Sequence, residues 1–180
     1  MSAPKVAIVI YTMHGHIATM AESVKKGIDS AGGSAVIYQI SETLPRELLA
    51  RLRAPPKPNY PIIAPGDLNF WDATGLLWAK GALFGKYASV FVSTASPGGG
   101  QESTVIATLS TLTHHGIIYV PLGYAKTFAQ LTNLSEVHGS PWGAGTFAAA
   151  DGSRQPTVLE LNIAEVQGRH FWETVSKVRF

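Results

Sequence analysis

The run Lys5–Tyr11, KVAIVIY, constrains the fold more than any other stretch of the chain. It is nearly continuously apolar and rich in β-branched side chains. That pattern suits a strand buried on both faces, as in a parallel sheet covered by helices. The loop Thr12-Met13-His14-Gly15-His16 follows, and from Ile17 the period changes. Ile17, Met20, Ala21, Val24 and Ile28 recur at helical spacing, with Glu22, Lys25 and Lys26 on the opposite face. Gly32-Gly33 predicts a left-handed cap, and Ala35–Ile40, AVIYQI, a second strand. A strand–loop–helix–strand unit of this kind takes a right-handed crossover.

The same alternation continues. Residues 41–53 read as a helix with Leu44, Leu48, Leu49 and Leu52 inward. Prolines 55, 56, 58, 61 and 65 then forbid helix and weaken any central strand, so 54–68 reads as an extended surface connection. Residues 69–82 are aromatic-rich and helical in part. Tyr87–Thr94 is a strand, 104–115 a helix with Val105, Leu109 and Leu112 on one face, and 117–122 a further buried strand. Residues 123–156 carry no period, and a connection of that length is usually functional or an interface. From Thr157 a last helix sets Leu161, Ala164, Gly168, Phe171, Val175 and Val178 on one face. Strands alternating with helices imply one doubly wound α/β domain over residues 1–180.

Composition narrows the function. Charged residues make up only 14% of the 180, against about 25% in an average domain. A neutral surface of that kind favours burial against another subunit. The net charge of +2 gives no reason to invoke nucleic acid. Without cysteine there is no disulfide or thiolate metal site, which fits a cytoplasmic protein, and no HExxH pattern suggests a metal. No stretch reads as a signal peptide or reaches the roughly 20 apolar residues of a membrane helix. The absence of GxSxG removes support for a hydrolase.

Two loops at the carboxyl ends of strands carry the chemistry. Thr12 through Ile17 offers a hydroxyl, a close-approach glycine and the N–H groups of a helix start, a combination suited to a phosphate monoester. Neither GxGxxG nor the Walker lysine is present, so a mononucleotide is favoured over a dinucleotide or ATP. The same residues also suit an ordinary Thr cap. In the second loop, Ser93-Thr94-Ala95-Ser96-Pro97-Gly98-Gly99-Gly100-Gln101-Glu102, three glycines let main chain lie flat against a planar ligand. A flexible loop before a helix cap is the competing reading. His114 and His115 end the next helix, where a histidine gains from the helix dipole.

The segments IYTMHGHIATMAESVKKGI, GLLWAKGALFGKYASVFVST, GGGQE, TLTHHGIIYVPLGY and SPWGAGTFAAADGSRQP resemble, in order and spacing, the tryptophan-repressor-binding-protein family, whose members are flavodoxin-like, FMN-dependent NAD(P)H:quinone oxidoreductases. The APPKP and QLTNL stretches are most similar to fungal members. The resemblance implies FMN as cofactor, NADH or NADPH as co-substrate, a quinone substrate, and a tetramer or dimer. It implies that Thr12, Met13, His14, Gly15, His16 and Ile17 hold the FMN phosphate. His14 also falls where the family places a residue near the nicotinamide. Ser93, Thr94, Ala95, Ser96, Pro97 and Gly98 line the isoalloxazine, His114 stands beside the flavin on the substrate side, and Trp78 helps form the quinone pocket.

One segment of that pattern is absent. Between Leu68 and Asn69 the family carries a further strand and a Pro-Thr-Arg-(Tyr/Phe)-Gly-Asn loop, whereas here GDL runs directly into NFWDATG. In the order 2-1-3-4-5 the lost strand is the middle one. Skipping it leaves its neighbours roughly 10 Å apart, with buried backbone groups unpaired at about 1–3 kcal/mol each. Either Tyr60–Ala64 moves inward or the first and fourth strands pair directly. FMN binding is then expected to weaken or vanish. The alternative function is therefore a cofactor-free, inactive variant with an interaction role.

Overall fold

The computed structural model describes residues 4–63 and 75–179. β1 (Val6–Ile10) leads through the Thr12 loop into α1 (His16–Ser30), and β2 (Ala35–Ile40) returns beside β1. Pairing is parallel, from Val6 opposite Ala35 to Ile10 opposite Gln39. Gly32, at φ 85°, closes α1 as its glycine predicts, with its own N–H and that of Gly33 bonded to Asp29 and Ile28 carbonyls. α2 covers only Arg46–Arg51, shorter than the 41–53 helix expected, and none of its residues is buried. Pro45 sets its start, and the Glu42 carboxylate accepts the N–H groups of Thr43 and Leu44, holding that stretch out of helix.

β3 is the pair Ile62–Ile63, parallel to β2 with Gln39 opposite Ile62. It lies on the side of β2 away from β1, so Tyr60–Ile63 extends the sheet outward and does not move into its centre, while Ala64 lies outside the described residues. The physical reason lies in Gln39: its amide donates to the Pro58 and Tyr60 carbonyls, and its backbone N–H to Pro61. The junction of Leu68 and Asn69 lies outside the described residues.

α3 (Gly75–Ala79) follows, then β4 (Tyr87–Ala88), β5 (Val92–Thr94), α4 (Gln101–His114), β6 (Ile118–Tyr119), α5 (Phe128–Leu131), β7 (Gly145–Phe147) and α6 (Val158–Val175). Tyr87–Thr94, expected as one strand, makes two short parallel ladders: β4 with β6 and β5 with β7. β6 and β7 are thus two pieces of one edge, separated by the 120–144 excursion. Every residue from Tyr87 to Thr94 is only half-buried. Direct pairing of β1 with this stretch does not occur among the described residues, where β1 bonds to β2 alone.

The core lies between β1, α1 and α6. Ile8, Ile10, Met20, Ala21, Ile28, Ile163 and Ala164 are buried there. A Cβ on Gly27 would fall 1.9 Å from the Glu165 carbonyl oxygen, and one on Gly168 1.9 Å from that of Val24. The two helices therefore meet backbone to backbone. These parallel strands and, among the described residues, six helices form a mixed α/β, flavodoxin-like architecture.

Candidate active site

The Thr12 loop is built to present amide hydrogens. Gly15 takes φ 91° at the helix N-cap, a conformation costly for a residue with a Cβ, and nothing stands within 4 Å of where that Cβ would be. Its N–H donates to the Thr12 hydroxyl at 3.0 Å. No side chain caps α1, and no acidic residue occupies its first turn. A 15-residue helix thus ends its positive pole in an uncapped turn free of carboxylates.

Both sides of the loop are anchored. The buried His16 ring donates from Nε2 to the Arg154 carbonyl at 2.5 Å. The Arg154 N–H in turn donates to the Ala148 carbonyl, and the Ala148 N–H to the Thr94 carbonyl at 2.8 Å. This chain of bonds ties the Thr12 loop to the root of the Ser93 loop at one end of the fold. His14 packs on the same segment, since a Cβ on Gly152 would meet its ring at 2.7 Å. On the other side Lys57 donates to the Thr12 carbonyl, pairs with Glu42 at 2.7 Å and lies 4.6 Å over the Tyr11 ring. The Lys57 ammonium, helped by the Leu44 N–H, holds the Glu42 carboxyl down at about 2. Partial burial, with the Glu42 carboxylate nearby, raises the Tyr11 phenol.

Arg154 is itself fixed by a buried acid. Its guanidinium donates to both oxygens of Glu160 at 3.1 Å and to the Phe147 carbonyl at 2.7 Å. Glu160 is fully buried, accepts the Thr146 hydroxyl at 3.0 Å, and completes a capping box with Thr157 at the start of α6. The signal was the spacing Thr157-x-x-Glu160, which sequence reading passed over; Lys57 and Glu42 carried no motif at all.

In the second loop, Thr94 donates to the Ser96 carbonyl at 3.1 Å, and Gln101 reaches back to Thr94 and to the Thr146 carbonyl. Ser93 is half-buried, while Ala95, Ser96, Pro97 and Gly98 are exposed and open to a planar ligand. Pro97, Gly98, Gln101, His138 and Phe147 border a recess of about 530 Å³. The remaining candidates sit apart. His114 is exposed at the far end of α4, its Nδ1 2.7 Å from its own Ser110 carbonyl. At 1.5 Å per residue that end is about 20 Å from Gln101. Trp78, 58% exposed on α3, is not among the residues lining either cavity. Among the described residues no three acidic or histidine side chains cluster as a metal site would require, and no helix is long and apolar enough to cross a membrane.

No family model matches the chain. Individual relatives do. An NAD(P)H quinone oxidoreductase of Candida albicans, PST3, is 57% identical over 198 residues, covering 97% of this chain and 100% of the relative. Protoplast secreted protein 2 of Saccharomyces cerevisiae is 54% identical, covering 97% and 99%. A second Candida albicans NAD(P)H quinone oxidoreductase, PST2, is 52% identical, covering 99% and 100%. Alignments of 197 to 202 residues exceed the 180 of this chain, so the relatives have positions without a counterpart here. At such identity over nearly the whole length, the chain belongs to the family of fungal flavodoxin-like NAD(P)H quinone oxidoreductases.

Proposed function

We propose that the chain is an FMN-dependent NAD(P)H:quinone oxidoreductase, with Thr12–Ile17 holding the FMN phosphate and Ser93–Gly98 lying along the ring. The observation that carries this reading is the uncapped start of α1. Gly15 leaves open space for a phosphate, Thr12 orders the turn, and no carboxylate stands in the first turn to repel an anion. The residues present therefore fit the group. The relatives' names supply the reaction class.

The chemistry FMN supplies when bound is two-electron transfer, hydride from NADH or NADPH in and two electrons out to a quinone, in a ping-pong cycle. The chain's own residues bind and orient. His16 and Arg154 keep the phosphate turn in register with Thr94, while Lys57 fixes its other flank. The exposed residues Ala95, Ser96 and Gly98 offer backbone N–H donors to a ring edge, which Pro97 between them lacks. His114 beside the flavin, Trp78 at the quinone pocket and assembly as a dimer or tetramer belong to the same proposal, carried by the family resemblance. The cytoplasm, which holds NAD(P)H, is the compartment proposed.

The test is the absorption spectrum of purified protein with an FMN and riboflavin titration. A flavin band, micromolar or tighter FMN affinity, weaker riboflavin binding and benzoquinone-dependent NADH oxidation are expected. Equal affinity for FMN and riboflavin sinks the phosphate-loop assignment. A second reading, a cofactor-free variant with an interaction role, is favoured by the half-buried state of Tyr87–Thr94. A colourless protein that takes up no flavin selects it.

A further inference from the structure

Residues 54–61, APPKPNYP, bring a cation against the Thr12 turn, and their sequence explains how. Pro56 and Pro58 flank Lys57. Each proline fixes its own φ, and Pro58 also confines Lys57 to extended backbone. The strap is then tied down on two elements. The Gln39 amide of β2 donates to the Pro58 and Tyr60 carbonyls at 2.8 and 2.9 Å. The Tyr60 hydroxyl donates to Glu22 of α1 at 2.6 Å. Lys57 is thus carried by a stiff segment fastened to the same helix whose start bears the turn.

Its ammonium donates to the Thr12 carbonyl, pairs with Glu42 at 2.7 Å and lies 4.6 Å from the centre of the Tyr11 ring. Glu42 is fixed in turn, accepting the Tyr11 hydroxyl at 3.2 Å and the Thr43 and Leu44 N–H groups at 2.9 Å. Carbonyl, carboxylate and ring face together define one position for the charge. The consequence falls on the next peptide. No described peptide is cis, and in a planar trans peptide the C=O and N–H point in opposite directions. A Thr12 oxygen held towards Lys57 therefore turns the Met13 N–H away from it. That oxygen also has a cation to face, so its negative end is not left to meet an anion. The Thr12 hydroxyl oxygen accepts the Gly15 N–H at 3.0 Å, which leaves the hydroxyl proton to donate.

We infer that Lys57 is a positioning residue for phosphate recognition, acting through the Thr12–Met13 peptide. It commits the Met13 N–H to the turn and sharpens the preference for a phosphorylated flavin over riboflavin. The inference rests on the reading that the Thr12 turn holds the FMN phosphate. It gives the proline-rich strap a part in the site.

The test uses the full chain, stripped of flavin and titrated with FMN and with riboflavin, while nuclear spin relaxation reports the order of the Met13 amide without flavin. Lys57→Met keeps the aliphatic stem and removes the charge with its donors. It is expected to weaken FMN binding about 10-fold, the scale of one charged hydrogen bond, and to leave riboflavin binding unchanged. The Met13 order parameter falls from about 0.85 towards about 0.6. Lys57→Arg, which keeps charge and donors, returns FMN affinity to within about threefold of the parent. Glu42→Gln separates placement from charge by sign. Loss of the ammonium's anchor weakens FMN about threefold, whereas removal of a nearby negative charge would tighten it. A parent that binds FMN and riboflavin equally sinks the phosphate reading and this inference with it. A parent that discriminates, beside a Lys57→Met chain within about twofold of it for FMN, overturns the Lys57 role and spares the turn. So does tighter FMN binding by Glu42→Gln, or an equal loss of both flavins in Lys57→Met. Should Lys57→Met fail to fold, the Lys57→Arg and Glu42→Gln arms decide.

Discussion

Lys57 joins β1, β2 and the proline-rich connection at one nitrogen, which donates to the Thr12 carbonyl and pairs with Glu42. The pairing has a pH signature. Glu42 titrates at about 2 in the folded chain, against an ordinary value near 4.3. A depressed carboxylate stabilises fully above the unfolded value and loses that contribution as pH falls through the folded one. Glu42→Gln is expected to cost up to about 1 kcal/mol at pH 7, as befits a pair still reached by water. Parent and variant should converge as pH drops from 5 towards 2, which urea midpoints across that range will check. Glu160 is the deeper case. Glu160→Ala strands Arg154, removes the capping box and leaves Thr146 without its acceptor. A loss of about 3–5 kcal/mol in urea unfolding is expected, the range for removing one partner of a buried pair.

At the scale of elements, α1 and α6 depend on two small residues. Gly27 and Gly168 each face a carbonyl of the opposite helix at a distance no side chain tolerates. Gly168→Ala is expected to force the helices apart and cost about 3 kcal/mol, at the upper end for overpacking; equilibrium unfolding and loss of protection in α1 measure it. α1, β2 and α6 were legible in the sequence because their apolar periods run long. α2 was not. Its leucines repeat at helical spacing, yet Leu48 and Leu52 remain 36% and 40% exposed, because no element packs over that face among the described residues. On α6 the inward set included Ala164, Gly168 and Val175, but Gln167 and Glu160 are buried too. Polar residues enter a core only when distant partners satisfy them. Gln167 finds Ala144, Ser89 and Val90, none of which a local period reveals.

For the whole molecule, the candidate site rests on the link from α1 through His16, Arg154 and Ala148 to Thr94, so ligand binding and global stability are coupled. FMN at a hundred times its dissociation constant is expected to stabilise the chain by about 2.7 kcal/mol, read as a shift in thermal midpoint that riboflavin reproduces only in part. The Thr12 and Ser93 loops were legible from sequence because each follows a strand and opens a helix, a local event. Their joining through Arg154 was not, since it bridges residues 138 apart. The same division holds for the rest of the protein. Sequence alone determined the alternation of strands and helices, the glycine at the turn before α1 and the family, all of which follow from local period, backbone sterics or shared residues. Tertiary structure decided that Tyr60–Ile63 extends the sheet on the outer side of β2, that Tyr87–Thr94 divides into two ladders, and that β1, among the described residues, pairs with β2 alone. Those outcomes depend on which strand edges find a partner, and pairing between distant strands leaves no mark in a local pattern.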